Sequence, residues 1–458
     1  MNRDKLDFGN GKVGSLFRTM FFPTLVAMVF NSVLNLCDGM FVGHGVGSDA
    51  LAAINIVAPV FLVCMGIGLM FGIGASVIGG IRLSENNVKA ARIIMTQAFV
   101  AGTAVFCLIT LFCFLFTDEV LAMLGCSPAL QPYASDYLLW LLPGFPLLFV
   151  ECAGMMLIRL DGSPKIAMTI QVFAASVNIL LDWLMVFPLG MGVKGAAIAT
   201  SISCAAAGIP VLVYFVQFSS NLKFYRLKRS WKSVRLSVRN VGYMIRIGFA
   251  TFVAEMSLGI MMVTGNYMFM RYLGETGVAA YSIGCYLFPI IFSITNAVAQ
   301  SAQPIISFNY GAKQFRRVRD TLKIAVGTGI LCGAVITAVM GFGSRILTSV
   351  FLPQAAPAYA VAAGGLPVLG ICAIFFALNI TFIGYYQSIE DSLRSTFYMF
   401  LRGVVFLIPC FLFLPKLMGK TGLWLAIPAA EALTFLFIII SYLAARGRSA
   451  SAKNGYNL

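Results

Sequence analysis

The amino-acid sequence predicts an all-α integral membrane protein with twelve transmembrane helices in two six-helix lobes, related by a pseudo-two-fold axis along the membrane normal. Three observations support this fold class. Hydrophobic residues make up 60% of the 458 positions and charged residues only 11%. Twelve apolar segments are long enough to cross a bilayer. The second half of the chain also repeats motifs of the first.

The composition is far more apolar than that of a soluble domain, which excludes a water-soluble fold. A helix that crosses a bilayer needs about 20 mostly apolar residues, so twelve helices use about 240 residues and leave loops of ordinary length. The apolar segments fall at about 16–43, 51–81, 93–117, 132–158, 166–187, 195–218, 242–270, 279–308, 321–342, 360–386, 395–415 and 422–443.

The 32 lysines and arginines are unevenly distributed over the loops. With a cytoplasmic N-terminus, 27 of them lie on the cytoplasmic side. Because cytoplasmic loops carry an excess of Lys and Arg, we expect a multi-pass protein of the cell inner membrane with both termini in the cytoplasm. The cations expected outside are Lys194, Arg271, Arg345, Lys416 and Lys420.

The net charge of +15 would suggest a nucleic-acid partner if the protein were soluble. Here the long stretch from Ile93 to Ile158 contains no Lys or Arg, and the cations concentrate in the expected cytoplasmic loops. The charge therefore reports membrane topology. We expect the lipid bilayer as a partner, no nucleic acid, and a monomer, since nothing in the sequence requires another subunit.

A basic segment between Lys223 and Arg239 divides the chain near its middle. We therefore expect an N-lobe at 1–218 with helices 1–6, a basic cytoplasmic linker at 219–241, and a C-lobe at 242–458 with helices 7–12 and a short cytoplasmic tail.

An internal repeat supports this division. Residues 188–195 and 415–422 both match P-x-x-M-G-x-x-G, displaced by 227 positions, and the same displacement aligns Gly47 with Gly274. Each half holds an even number of helices, so both halves enter the membrane from the same side. A cavity between the lobes is expected from this arrangement.

Ionisable side chains are costly inside a bilayer, so those present are candidates for function. Asp38 lies in the first apolar segment with Asn35 on the same face, and Asp182 lies in the fifth segment with Asn178 one turn before it. Both acids belong to the first lobe and are expected in the outer half of the membrane. We expect these four residues to form one polar, cation-coupling pocket.

Two carboxylates and an amide carbonyl are hard oxygen ligands suited to a small cation, so Asp38, Asn178 and Asp182 are a candidate Na⁺ site. The same carboxylates equally suit a proton, and the coupling ion stays open between Na⁺ and H⁺. The alternative interpretation is that the two acids lie near helix ends and contact interfacial water or cap a neighbouring turn. At a displacement of 227 the second lobe has no matching polar set.

Glu255 in the seventh segment, with Met256, Phe288 and Phe292, predicts an adaptable apolar cavity that attracts a cationic solute. The alternative is that these residues face lipid or the protein core.

Glu151 and Glu431 are further candidates for that cavity, but either acid equally suits a pair with a cation such as Arg402, or hydrogen bonding between packed helices.

Pro23 interrupts the first apolar segment. Because proline removes an internal hydrogen bond, a bend there would move Asp38, which makes Pro23 a hinge candidate.

The chain contains a single histidine, His44, so a histidine zinc site and an HExxH motif are excluded. It also lacks G-x-S-x-G and G-x-x-x-x-G-K-[ST]. The sequence therefore predicts a transporter with no cofactor apart from the coupling ion. A membrane enzyme or a non-transporting scaffold is the alternative from a different class.

With these residues the chain resembles the multidrug and toxic compound extrusion (MATE) family. The similarity runs through Asn35-Leu-Cys-Asp38-Gly-Met-Phe-Val-Gly43, Asn178-Ile-Leu-Leu-Asp182 and the segment 190–200, and it extends over about 14–445.

The resemblance implies a secondary active exporter that expels organic, often cationic amphipathic drugs by alternating access, in exchange for Na⁺ or H⁺. It also implies that Asp38, Asn178 and Asp182 form the ion site. Glu255 resembles an acid of another branch, but the accompanying acid of helix 10 has no counterpart here. The alternative is a lipid-linked precursor flippase of a related two-lobe fold, for which an arginine-rich cavity would be expected.

Overall fold

The structure is a computed structural model of the chain. It describes residues 6–46, 48–228 and 230–454. Within these ranges, the side chains at 35–40, 42–45, 48–49, 51 and 445–454 lie outside the described residues.

The regular structure of the described residues is entirely helical. In the first half of the sequence, a 3₁₀ turn joins α5 to α6 and a π-helical turn extends α8. The helices are α1 (Val13–Gly45), α2 (Ser48–Ser84), α3 (Val88–Leu115), α4 (Thr117–Met123), α5 (Gln131–Leu141), α6 (Phe145–Leu160), α7 (Pro164–Val186) and α8 (Gly192–Val213).

The second half of the sequence continues in the same manner, and a π-helical turn at Leu401–Val405 joins α14 to α15. The helices are α9 (Trp231–Gly311), α10 (Phe315–Phe342), α11 (Ser344–Phe351), α12 (Pro357–Gly370), α13 (Cys372–Ser388), α14 (Ser392–Phe400), α15 (Leu407–Met418) and α16 (Lys420–Asn454).

The predicted number of membrane-spanning helices is confirmed. The described residues contain 11 helical stretches long and apolar enough to cross a membrane. One of them is α9, whose 81 residues form two helices that meet at Gly274, where φ is 62° and ψ is −154°. Glycine suits this turn because it adopts positive φ without steric cost. The total for the described residues is therefore twelve, and the helices agree with the predicted segments within about six residues at all bounds except two. Helix α9 begins at Trp231, within the segment 219–241 that was predicted as a linker, and helix α16 continues to Asn454, beyond the predicted end at 443.

The internal repeat is visible in the backbone. Both bounds of α10 lie 227 positions after the corresponding bounds of α3. Asn86, after α2, and Lys313, after α9, are also separated by 227 positions and have positive φ values of 59° and 57°. In the repeated motif, Gly192 and Gly419 have φ values of 59° and 58°. The two halves of the sequence therefore share helix bounds and unusual turn conformations.

Two compact units make up the chain. Unit 1 comprises Met1–Met256, Gln300–Ile324 and Gln387–Ser392. In its core the rings of Phe71, Phe99 and Phe106 contact Phe149 at centroid distances of 5.8, 6.3 and 5.2 Å. These contacts hold α2, α3 and α6 together, and α6 in turn packs against α7 and α8.

Unit 2 comprises Ser257–Ala299, Ala325–Tyr386 and Leu393–Leu458. Phe269 stacks on Tyr281 at 4.6 Å and meets Trp424 at 4.9 Å, so both parts of α9 pack against the start of α16. The lobe boundaries proposed at 218 and 241 stay a prediction.

Candidate functional site

Helix α7 contributes the two described members of the predicted cation-coupling pocket. Asn178 and Asp182 are each only 1% exposed. They lie on the same face because they are one helical turn apart, and α7 packs directly against α1 and α8. A carboxylate and an amide on one membrane-spanning helix of unit 1 are therefore both enclosed by protein.

Helix α1 carries the other two predicted members. Phe41 of α1 contacts Phe187, directly after α7, at a centroid distance of 5.9 Å. These helices are the first and fifth spans and run in the same direction. Phe41 and Phe187 lie at the same level, and the rise per residue is the same in both helices. Asp182, five residues before Phe187, is therefore level with position 36 of α1, so positions 35 and 38 lie within two residues of that level. The side chains of Asn35 and Asp38 lie outside the described residues, so the four-residue pocket stays a prediction.

Glu255 and Met256 lie on the first part of α9, in unit 1. Glu255 is 7% exposed, and its carboxylate receives no hydrogen bond from any described residue. Its Cβ lies 3.5 Å from the point where a side chain at Gly66 of α2 would begin. A buried acid that no described residue hydrogen-bonds therefore lies against α2.

The aromatic members of the predicted cavity lie in unit 2. Phe288 is fully buried and Phe292 is 8% exposed. The ring of Phe292 contacts Phe376 at 6.0 Å. Phe288 is enclosed by protein in this conformation, and a cavity shared with Glu255 stays a prediction.

Glu431 pairs with Arg402, which is one of the two interpretations that the sequence left open. Arg402 Nε donates to Glu431 Oε1 at 2.6 Å, and Asn379 Nδ2 donates to Glu431 Oε2 at 2.7 Å. The guanidinium also stacks on Phe376 at 3.8 Å from the ring centroid. Both carboxylate oxygens of Glu431 are therefore occupied. Sequence reasoning missed Asn379, although an amide in the middle of the segment 360–386 was a usable signal.

Arg159, the second buried arginine, was also missed. It is 2% exposed and donates to Gln300 Oε1 at 2.5 Å. Its only other side-chain contact of this kind among the described residues is with the sulfur of Met156 at 3.6 Å. The guanidinium thus has an amide partner in place of a carboxylate.

Asp161 anchors the start of the basic linker. One of its carboxylate oxygens accepts hydrogen bonds from the hydroxyls of Tyr214 and Ser219 and from the backbone N–H of Ser220. The other accepts from the backbone N–H groups of Asn221 and Leu222 at 2.9 and 3.1 Å. The turn after α6 is therefore tied to the chain that follows α8.

Pro23, the predicted hinge, is buried inside α1, which continues as a helix from Val13 to Gly45. Its role as a hinge stays a prediction.

Comparison with known proteins identifies the family. The model of the MatE family matches residues 23–184 and 238–412. The multidrug export protein MepA of Staphylococcus aureus (strain MRSA252) is 24% identical over 423 residues, covering 92% of each chain. The protein of the same name from Staphylococcus haemolyticus (strain JCSC1435) is 24% identical over 434 residues, covering 93% of this chain and 94% of the relative.

Solved structures share the fold. A crystal structure of a MATE protein in complex with MaL6 superposes with a TM-score of 0.89 at 19% identity, covering 99% of this chain and 100% of the other. A mutant of the MATE transporter VcmN of Vibrio cholerae gives a TM-score of 0.85 at 19% identity, covering 94% and 97%. The predicted helical membrane fold and the family resemblance are both confirmed. The chain belongs to the MatE family, whose members are membrane transporters and not enzymes.

Proposed function

We propose that the protein is a secondary active multidrug exporter in which Asp38, Asn178 and Asp182, with Asn35, couple the entry of Na⁺ or H⁺ to the exit of a solute. The single observation that carries this proposal is the burial of Asn178 and Asp182, which are each 1% exposed and lie on one face of α7. The names of the two staphylococcal relatives support export of multiple drugs.

A buried carboxylate in a membrane-spanning helix attracts a cation because ionisation without a counter-charge is costly there. Asp182 lies within the span Pro164–Val186, and its side chain is enclosed by protein. The side-chain carbonyl of Asn178 and the carboxylates of Asp182 and Asp38 are together suitable ligands for a dehydrated small cation. A proton on one carboxylate neutralises the site equally well, so the ion is a question for experiment.

On the substrate side, we propose that Glu255 attracts the positive charge of organic cations while Met256, Phe288 and Phe292 supply apolar contacts. Support comes from the Glu255 carboxylate, which no described residue hydrogen-bonds. Methionine and phenylalanine adapt to ligands of different shape. We further propose that Pro23 allows α1 to bend, and that the protein works as a monomer of the cell inner membrane with cytoplasmic termini.

The test is efflux of a fluorescent organic cation from proteoliposomes under a Na⁺ gradient or an H⁺ gradient, each imposed separately. We expect one gradient to drive export by the wild type, and Asp182→Asn and Asp38→Asn to lose that response. The matched control is Asp136→Asn, because Asp136 forms an exposed pair with Lys194 at 3.3 Å and such pairs contribute little to stability.

If Asp182→Asn responds to the gradient as the wild type does, the coupling site is assigned wrongly. If neither gradient moves the solute in the wild type, cation-coupled export is wrong, and lipid-linked precursors become the substrates to assay.

A further inference from the structure

Unit 2 carries a groove that the proposed transport cycle does not use. Its volume is about 520 Å³, and it lies between the start of α14 and residues 437–444 of α16. Leu393, Phe397 and Phe437 form its apolar walls together with the buried Tyr398, while Arg394 and Ser441 supply polar groups. A single cationic side chain thus sits in an otherwise largely apolar groove.

The groove lies at the edge of the membrane-spanning region. Arg394 is the third residue of the span Ser392–Met418, and Ala444, another lining residue, directly follows the predicted apolar segment 422–443. Groups at such positions lie at the depth of lipid headgroups.

Exposed apolar side chains lie at the groove and on the neighbouring surface of α16. Leu393 is 74% exposed, and Ile440 and Leu443 on the adjacent turns of α16 are 59% and 57% exposed. Large exposed apolar side chains of this kind are unfavourable in water and contact lipid in a membrane protein. Exposed apolar side chains beside the groove favour a membrane lipid over a soluble ligand as its occupant.

The charge of the groove selects the type of lipid. The guanidinium of Arg394 lies 5.6 Å from the centroid of the Tyr386 ring, within the range of a cation–π contact. Arginine has five N–H donors, so it can bind phosphate oxygens in addition to any partner within the protein.

We propose that this groove binds one anionic phospholipid, with its phosphate at Arg394 and the first part of an acyl chain along Leu393, Phe397 and Phe437. Basic pockets between transmembrane helices bind anionic headgroups in this way. Ser441 lines the same groove, and its hydroxyl can donate a hydrogen bond to the headgroup. This site is separate from the coupling residues and does not rest on the proposed transport function.

The test is lipid binding to the purified full-length protein in detergent, followed by native mass spectrometry and thermal unfolding. The probes are phosphatidylglycerol and phosphatidylcholine with the same acyl chains. We expect phosphatidylglycerol to give one retained lipid per protein and a higher unfolding midpoint than phosphatidylcholine. Arg394→Gln should weaken phosphatidylglycerol binding about tenfold, because it removes the positive charge and the charge-assisted hydrogen bond to the phosphate.

The matched control is Arg345→Gln, which removes another exposed arginine of unit 2 away from the groove. A second variant, Ser441→Trp, fills the groove without changing the charge and should reduce retention of the lipid to the same extent. It also keeps the proposal testable if Arg394→Gln does not fold.

Equal weakening by Arg345→Gln and Arg394→Gln would mean that binding is a general electrostatic effect, and the proposal would be wrong. Unchanged retention in Ser441→Trp would exclude the groove as the site. If inorganic phosphate alone reproduces the stabilisation and displaces the lipid, the ligand is free phosphate and the assignment to a lipid fails.

Discussion

Ser76 donates a hydrogen bond from its hydroxyl to the side-chain oxygen of Gln303 at 3.0 Å, and the two positions are 227 residues apart. That separation equals the displacement of the internal repeat, so each residue contacts its own counterpart. Two positions related by a two-fold axis are close to each other only when both lie near the axis. The hydrogen bond therefore marks the place where α2 and the second part of α9 meet at the pseudo-two-fold axis.

The same separation recurs along these two helices. The Ser307 hydroxyl lies 2.6 Å from the point where a Cβ at Gly80 would begin, and the Ser84 hydroxyl lies at the corresponding point of Gly311. Successive turns of the two helices thus pair counterparts of the repeat, and small residues allow the close approach.

Close backbone packing between α2 and the first part of α9 gives the first prediction. A Cβ at Gly248 would overlap the backbone carbonyl of Met70. A backbone cannot move aside as a side chain can, so Gly248→Ala should destabilise the protein by about 1–3 kcal/mol. The measurement is the thermal midpoint in detergent.

Gly259→Ala on the same helix is the matched control, since nothing lies within 4 Å of its Cβ position. Equal midpoints for the two variants would contradict the packing of α2 against α9.

The sequence was sufficient to predict the twelve helices because membrane crossing depends on the length of an apolar run. It did not show that three spans are interrupted, at Leu142–Gly144, at Ile371 and at Leu401–Val405. Those breaks depend on packing between helices, which a hydropathy pattern does not contain.

Candidate site residues were predictable where a charge is rare. Asp182 and Glu431 stood out in apolar segments, and both are buried. Arg159 did not stand out, because it directly follows the apolar segment 132–158. An arginine at the end of a membrane-spanning segment normally extends its guanidinium into water. The burial of Arg159 depends on Gln300, which is distant in sequence and is brought near only by the fold.

The pair of Arg159 with Gln300 gives the second prediction. Gln300→Leu removes the oxygen acceptor of a guanidinium that is 2% exposed, and should cost about 1.5–3 kcal/mol of stability. Gln300→Glu supplies a carboxylate to the same donor and should keep the thermal midpoint at or above that of the wild type. If Gln300→Glu unfolds at the same temperature as Gln300→Leu, the guanidinium is not held by this side chain.

The third prediction concerns Asp161. Its two oxygens together accept five hydrogen bonds. In Asp161→Asn an NH₂ group replaces one of the two acceptor oxygens. This NH₂ group is a donor that faces other N–H or O–H donors, so the hydrogen bonds on that side are lost and the start of the linker should detach locally. Limited digestion with trypsin should then cleave after Lys223 at least about tenfold faster, since hydrogen bonds to a charged group contribute about 1.5–3 kcal/mol.

The control for this digestion is Asp118→Asn, which changes an exposed acid that accepts one hydrogen bond from Gln131. Cleavage at the wild-type rate in Asp161→Asn would show that the linker is held by other contacts.

The buried pair of Arg402 with Glu431 gives the last prediction, which is a double-mutant cycle. Arg402 and Glu431 are 5% and 4% exposed. Removing one partner leaves an uncompensated buried charge, so Arg402→Met and Glu431→Gln should each cost about 3–5 kcal/mol. The double variant carries no charge, and the amide introduced by Glu431→Gln retains an acceptor for Asn379, so most of the loss should be recovered. Additive losses in thermal midpoint would mean that the two side chains do not act as a pair, and Glu431 would then return as a candidate for binding a cationic solute.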